Sequence, residues 1–206
     1  MIEAIVLAAG LGTRMGCIKP LIEIDNEPAL GIILRRLDDL GIPRTTVVLG
    51  RTAGQVQEGL DLAEANVVVN PRPEEGMSRS LAIGLGAVDV QSHGVLILHA
   101  DMPFVEASTI RAVIDAAENG ARMAAPAYRG QRGFPVYFAR ECFDELLETL
   151  DGDVGARAYL ARHAEELVLV EVETDGCQRD IDAPEDLPRE DIAQAKETLH
   201  ALHADH

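Results

Sequence analysis

The sequence predicts a three-layer α/β/α fold of Rossmann-like character, with a mostly parallel sheet and a small antiparallel insertion. Three observations predict it. Short apolar runs alternate with segments of helical period through the first half of the chain. The first of these runs ends in a glycine-rich loop. Farther on, two strand-like runs are separated only by a turn-rich segment. Alternating strands and helices imply parallel strands joined by crossover helices, and a short turn between two strands implies an antiparallel pair.

Each element has its own signal. Ile2 to Leu7 reads as a buried strand. From Leu30, apolar residues recur at Ile33, Leu34, Leu37 and Leu40, the stripe of an amphipathic helix that Gly41 and Pro43 close. Val47 to Leu49 and Val67 to Val69 are the next strands, with a polar helix over 53–63 between them. A helix from Met77 to Val90 leads to the strand Val95 to Leu98. The next helix carries Ile110, Val113, Ile114 and Ala117 on one face and stops at Asn119-Gly120. Met123 to Tyr128 and Pro135 to Ala139 form the antiparallel pair across Arg129 to Gly133. Phe143, Leu146, Leu147 and Leu150 mark another helix face. Asp151-Gly152-Asp153 breaks that helix and caps the next, Val154 to His163. Leu167 to Val172 is a late strand, and a final helix starts near Pro184. No linker, repeat or low-complexity tract interrupts the chain, so residues 1–206 read as a single domain.

Composition excludes several classes. With 18 Lys+Arg against 35 Asp+Glu the formal net charge is −17, which disfavours nucleic acid and anionic lipid as partners, because both are held mainly through Lys and Arg. No apolar run reaches the length of about 18 residues that a membrane helix needs, and the start has no basic region of a signal peptide. Cys17, Cys142 and Cys177 are widely spaced with no CxxC, which offers neither a disulfide framework nor a zinc site and suits a reducing cytoplasm. His200, His203 and His206 lie in a polar tail and read as a solvated helix end, and His99 and His163 read as structural or solvated.

Ligands of open α/β sheets bind at the carboxyl ends of the strands, and the first strand ends in Ala8-Ala9-Gly10-Leu11-Gly12-Thr13-Arg14-Met15-Gly16-Cys17-Ile18-Lys19. Three glycines let this loop fold tightly and turn its N–H groups toward an anion, and Arg14 and Lys19 add full positive charge. The spacing is neither a Walker A loop nor a dinucleotide fingerprint. No acidic residue for a ribose follows the second strand, which ends in Leu49-Gly50-Arg51. A nucleotide or phosphate is the expected ligand; an ordinary βα turn with a solvated lysine is the alternative.

This loop resembles the opening of the MobA-like nucleotidyltransferases. The resemblance continues through Asn70, Gly76 to Leu81, Ala100 to Pro103, Gly133 to Val136, Gly152 to Arg157 and Asp180 to Leu187, in family order along nearly the whole chain. The LAAG loop and the GD-x-GAR block are most similar to the molybdenum cofactor cytidylyltransferases. The resemblance implies a nucleotidyltransferase fold and transfer of CMP from CTP to the phosphate of molybdopterin, with pyrophosphate released. It implies nucleotide contacts from Leu7, Ala8, Ala9, Gly10, Gly12, Asn70, Ser78 and Ser80, catalytic roles for Arg14, Lys19 and Asp101, and Mg²⁺ on Asp101 and Asp182. Such chemistry needs alignment and charge neutralisation more than an enzyme nucleophile.

Each role has a structural alternative. Arg14 could pair with Glu23 or Glu27, and Asp101 could cap the turn at Met102-Pro103. Asp182 could be a helix N-cap, with Asp180 as the alternate metal ligand. Asn70 could open an Asx turn, and capping accounts for one of Ser78 and Ser80. Cys17 could be oxidisable beside two cations, or simply small enough for the loop. Phe134 stands where related sequences carry histidine, and His99 where a small or apolar residue is common; both bear on the acceptor. The alternatives to cytidylyl transfer are another phosphorylated acceptor (a sugar or alcohol phosphate), GTP as donor, or a non-catalytic accessory protein that serves a molybdenum hydroxylase apo-enzyme.

Overall fold

The computed structural model describes residues 1–10, 18–183, 186 and 187. The chain runs β1 (Ile2–Ala8), the small hairpin β2 (Glu23–Ile24) and β3 (Glu27–Pro28), α1 (Ala29–Asp39), β4 (Thr45–Leu49), α2 (Ala53–Gly59), β5 (Asn66–Val69), α3 (Met77–Gly86) and β6 (Gly94–His99). It continues through α4 (Ala107–Glu118), β7 (Met123–Tyr128), β8 (Gln131–Arg132), β9 (Val136–Ala139), α5 (Phe143–Thr149), α6 (Arg157–Arg162) and β10 (Leu167–Glu171). Short 3₁₀ turns follow the first loop at Lys19–Leu21 and the last strand at Asp175–Gln178. The final helix predicted from Pro184, like Gly12, Arg14, Cys17 and the three tail histidines, lies outside the described residues.

The period of two along β1 builds both halves of the core. Ala4, Val6 and Ala8 face one way and join Leu30, Ile33 and Leu37 of α1 and Ile110, Val113 and Ile114 of α4. Ile5 and Leu7 face the other way and meet Leu81 and Leu85 of α3, Phe143 and Leu146 of α5, and Tyr159 and Leu160 of α6. A strand covered on both faces is what the apolar runs predict, and it produces the three layers.

The sheet order is β10-β7-β9-β6-β1-β4-β5, with β8 paired to β7. Parallel pairs link β1 to β4 and β6, β4 to β5, and β7 to β10. The antiparallel segment is β9, and it lies inside the sheet between β6 and β7. Arg129 and Gly130, both at positive φ, turn the chain back after β7. Val136 and Phe138 then enter one core and Tyr137 the other, so β9 is covered on both faces. An interior position follows from that double burial.

Some helices are shorter than their periodicity predicts. α2 stops at Gly59 because Leu60 turns extended, and α3 stops at Gly86, leaving Val90 outside and exposed. The expected capping by Asp151-Gly152-Asp153 is corrected: α6 begins after Ala156 with no side-chain cap. Asp153 instead accepts a 3.0 Å hydrogen bond from the N–H of Met77, the first residue of α3, satisfying an N–H that has no partner inside its own helix.

His163, at the end of α6, has Nε2 2.9 Å from Glu145 and Nδ1 2.8 Å from Glu166, and its ring lies over Tyr159. The hydrogen bonds to Glu145 and then Glu166 raise its pKa above the usual 6.5. A group whose folded pKa is raised contributes stability that is fully present below its unfolded pKa and is lost as pH rises through the folded value. The urea midpoint of wild type should therefore exceed that of His163→Gln by more at about pH 6 than at about pH 9. An equal gap at both values would show that the charge of the imidazole contributes nothing.

Candidate active site

Parallel pairing of β1 with β6 in the register Leu7↔His99 brings the carboxyl ends of both strands to one edge of the sheet. Beyond β1 the chain passes through Ala9 and Gly10, and beyond β6 through Ala100 to Asp101, whose course is fixed when the Ala100 N–H donates to the Leu7 carbonyl at 3.0 Å. The N–H of Ile181 donates to the Asp101 carbonyl at 2.8 Å, which draws the segment Asp180 to Asp182 across this edge. Behind it Ile181 is fully buried among Ile22, Ile24, Ala29 and Ile32, so this late segment is anchored by its own apolar contact.

Lys19 is where these segments meet. Its Nζ lies 2.6 Å from Asp182 Oδ1 and 3.6 Å from Asp101 Oδ2. Burial works against the ammonium charge, but the hydrogen bond to Asp182 and the fields of both aspartates outweigh it, and its pKa is raised. Asp182 directs its carboxylate to Lys19, while the backbone N–H groups of Asp182 and Ala183 are both taken by the Asp186 carboxylate, at 2.8 and 2.7 Å. Asp186 thus holds the backbone of this turn. Asp180 lies on a neighbouring wall; burial first, and then the charges of Asp182 and Asp101, push its pKa up.

A cleft of about 620 Å³ opens over Lys19. Leu7, Ala9, Gly10, Ser80, Asp101 and Asp182 line it, together with the turn Pro73 to Met77 and with Gly152 and Asp153. A second cavity of about 430 Å³ shares Leu7, Met77, His99, Asp101 and Asp153 with the first and extends over Phe134, Phe138 and Leu160. The two cavities are therefore neighbours along one seam. Among the expected nucleotide contacts, Leu7, Ala9, Gly10 and Ser80 reach the cleft, whereas Ala8, Asn70 and Ser78 are not on its wall. Ala8 points into the core.

Asn70 and Ser78 act as fasteners. Asn70 is fully buried; its Nδ2 donates to Ser80 Oγ at 2.9 Å and its Oδ1 accepts from the Arg72 N–H at 2.9 Å, the Asx turn that its position before Pro71 suggests. The expectation that Ser78 or Ser80 caps α3 is corrected: the helix begins at Met77, its N-cap Gly76 has no side chain, and neither serine bonds its first N–H groups. Ser78 Oγ donates to the Asp151 carbonyl at 2.8 Å and accepts from the Gly155 N–H at 3.0 Å, stitching α3 to the 151–155 loop. Contact there is close enough that a Cβ on Gly76, already at φ 98°, would sit 2.4 Å from the Gly152 carbonyl oxygen. His99, read from sequence as structural or solvated, lines both cavities and meets the Phe134 ring edge-on at 4.3 Å. Its place at the end of β6, just before Asp101, was the available signal. Burial lowers its pKa, opposed by the charges of Asp101 and Asp180.

A cleft at the carboxyl edge of an open α/β sheet is where such folds bind ligands, and here it carries one lysine and two aspartates. The comparisons make the class specific. The model of the MobA-like NTP transferase domain matches residues 4–167, and the chain belongs to that family of nucleotidyltransferases. It is similar to Rv0371c from Mycobacterium tuberculosis H37Rv, with 27% identity and a TM-score of 0.80 over 90% of this chain and 94% of that one. Rv0371c has also been solved in complex with manganese, and that structure matches with 26% identity and a TM-score of 0.76 over the same shares of the two chains. Among curated proteins, the bifunctional protein GlmU of Chromohalobacter salexigens is 32% identical over 116 residues, 55% of this chain and 25% of that protein. The chain thus spans about a quarter of the length of the GlmU proteins it matches. The nicotine blue oxidoreductase of Paenarthrobacter nicotinovorans is 24% identical over 91% of this chain and 95% of its own length. No helix among the described residues is long and apolar enough to cross a membrane.

Ser78→Ala removes the partner shared by two backbone groups, so it should lower stability by about 1–3 kcal/mol in urea unfolding. Unchanged stability would mean that the 151–155 loop is held to α3 by other contacts alone.

Proposed function

We propose that the chain transfers CMP from CTP to the phosphate of molybdopterin and releases pyrophosphate, with all of residues 1–206 forming one domain of this kind. The observation that carries the reading is the Lys19 ammonium held between Asp101 and Asp182 on the wall of the larger cleft, at the seam with a second cavity. One cavity suits a nucleotide and the other an acceptor. The LAAG loop, from Leu7 to Gly10, and the GD-x-GAR block favour CTP and molybdopterin by resemblance.

The acceptor phosphate is a monoester, largely ionised near neutral pH because its second pKa lies near 6. One of its oxygens forms a bond to the α-phosphorus of CTP, and the bond from that phosphorus to the bridging oxygen breaks, its electron pair leaving on pyrophosphate. No proton need be removed from the nucleophile, so a catalytic base is unnecessary. Lys19 and Arg14 are assigned to neutralise the triphosphate, and the N–H groups of the loop from Ala9 to Gly12 to hold its oxygens. Two carboxylates that converge on one cation fit a hard divalent ion, which takes oxygen ligands and is commonly held by one or two carboxylates plus substrate phosphates. Asp101 and Asp182 are assigned to hold Mg²⁺, which when bound supplies charge neutralisation at the phosphates.

Pyrophosphate release should depend on molybdopterin and prefer CTP over GTP and ATP; release without that acceptor dependence, or with GTP preferred, would overturn the substrate assignment. Lys19→Ala and Asp101→Ala should each lower turnover by about a hundredfold or more while the chain still folds, as circular dichroism would show. Near wild-type turnover in either variant would show that the site is misplaced.

A further inference from the structure

Most arginines of this acidic chain are engaged. Arg35, Arg51, Arg72, Arg79, Arg122 and Arg162 each have a carboxylate partner, and others bond carbonyls or lie over aromatic rings. Arg132 and Arg157 differ. Both line the second cavity, and among the described residues neither side chain has an ion pair, a hydrogen bond or a ring contact. Guanidinium groups stay charged at any physiological pH, and although Asp101, Asp153 and Asp180 also line this cavity, neither arginine is ion-paired to them among the described residues. Arg132 is half-buried; burial first, and then the charge of Arg157, push its pKa down.

The scaffold holds both in place. Arg132 ends β8, and the next residue passes so close to the 3₁₀ turn at Asp175–Gln178 that a Cβ on Gly133 would lie 2.2 Å from the Cys177 carbonyl oxygen. Gln178 Nε2 donates to the carbonyls of Tyr128 and Gln131, and the Phe134 N–H donates to the Cys177 carbonyl at 2.8 Å. Arg157 opens α6, directly after the loop that Ser78 and Asp153 fasten to α3. Folding has thus brought two like charges to one wall, on two separately clamped segments. One part of that cavity is apolar, with Leu81, Ile97, Val136, Phe138 and Leu160, while Asp101, Asp153 and Asp180 lie elsewhere on its wall. Such a site matches a molecule with an apolar or aromatic body and an anionic group.

We infer that Arg132 and Arg157 form an anion seat for the acceptor, taking a phosphomonoester or equivalent oxyanion through charge-assisted guanidinium hydrogen bonds. This rests on the transferase reading only in assigning the second cavity to the acceptor. The seat itself is tested without turnover, by titrating the full chain with inorganic phosphate and following the ³¹P line width. Arg132→Gln and Arg157→Gln should each weaken phosphate binding about ten- to hundredfold, Lys19→Ala should leave it nearly unchanged, and CTP should not displace the phosphate. Both Arg→Gln variants should unfold at the wild-type urea midpoint or above it, because like-charge repulsion is relieved. In turnover assays they should raise the acceptor KM and leave the CTP KM unchanged. Phosphate binding that survives both Arg substitutions, or is lost with Lys19→Ala or added CTP, would overturn the seat. Phosphate binding lost only in the Arg variants, in a protein that releases no pyrophosphate from any nucleotide, would support the seat while refuting the cytidylyl transfer.

Discussion

Two aspartates from distant parts of the chain share one ammonium, and the candidate site takes its form from that contact. Without Lys19, Asp101 and Asp182 would set two like charges side by side at this edge. With it, the loop after β1, the turn after β6 and the late segment at 180–182 are held at one point. The backbone bond from Ile181 to Asp101 fixes the same junction independently of charge. A triphosphate and a divalent ion would substitute for these partners in kind, anion for carboxylate and cation for ammonium. The junction is therefore already arranged for the charges of the ligands assigned to it.

Around this junction, holding and lining are divided between neighbouring residues. On α3, Ser80 reaches the cleft while Ser78 faces the 151–155 loop. Asn70 spends its amide on Ser80 and on its own Asx turn. Asp153 contributes to a cavity wall and also caps α3. Segments distant in sequence are thereby fixed by short hydrogen bonds, which keeps both cavity walls in position before any ligand arrives.

The acidic surface and the basic cavity residues are two parts of one electrostatic design. A formal charge of −17 opposes loose association with anions in general. Among the described residues, Arg132 and Arg157 are left without an ion pair on the wall of the second cavity. Paired arginines elsewhere join surface elements, as Arg122 does between Glu141 and Glu166.

The sequence by itself determined the layers and the edge of the sheet at which to look. Apolar alternation along β1 and the helical stripes at Leu30 to Leu37 and Ile110 to Ile114 are local patterns, and burial follows directly from them. The glycine loop with Lys19, and Asp101 at a strand end, were legible for the same reason. Helix ends at Gly59 and Gly86, and the cap on α3, were not, because a residue 76 positions away supplies that cap. The role of Ser78 was equally hidden, because a polar side chain near a helix start looks the same whether it faces a ligand or a loop; the Asx turn of Asn70 was one of the two readings that its place before Pro71 offered. Tertiary structure alone decided that Asp182 meets Lys19 while Asp180 faces the second cavity, that β9 enters the middle of the sheet, and that Arg132 and Arg157 share a wall. Sequence records which charges a chain carries; only folding settles which of them are left without a partner, because pairing depends on distances between residues far apart along the chain.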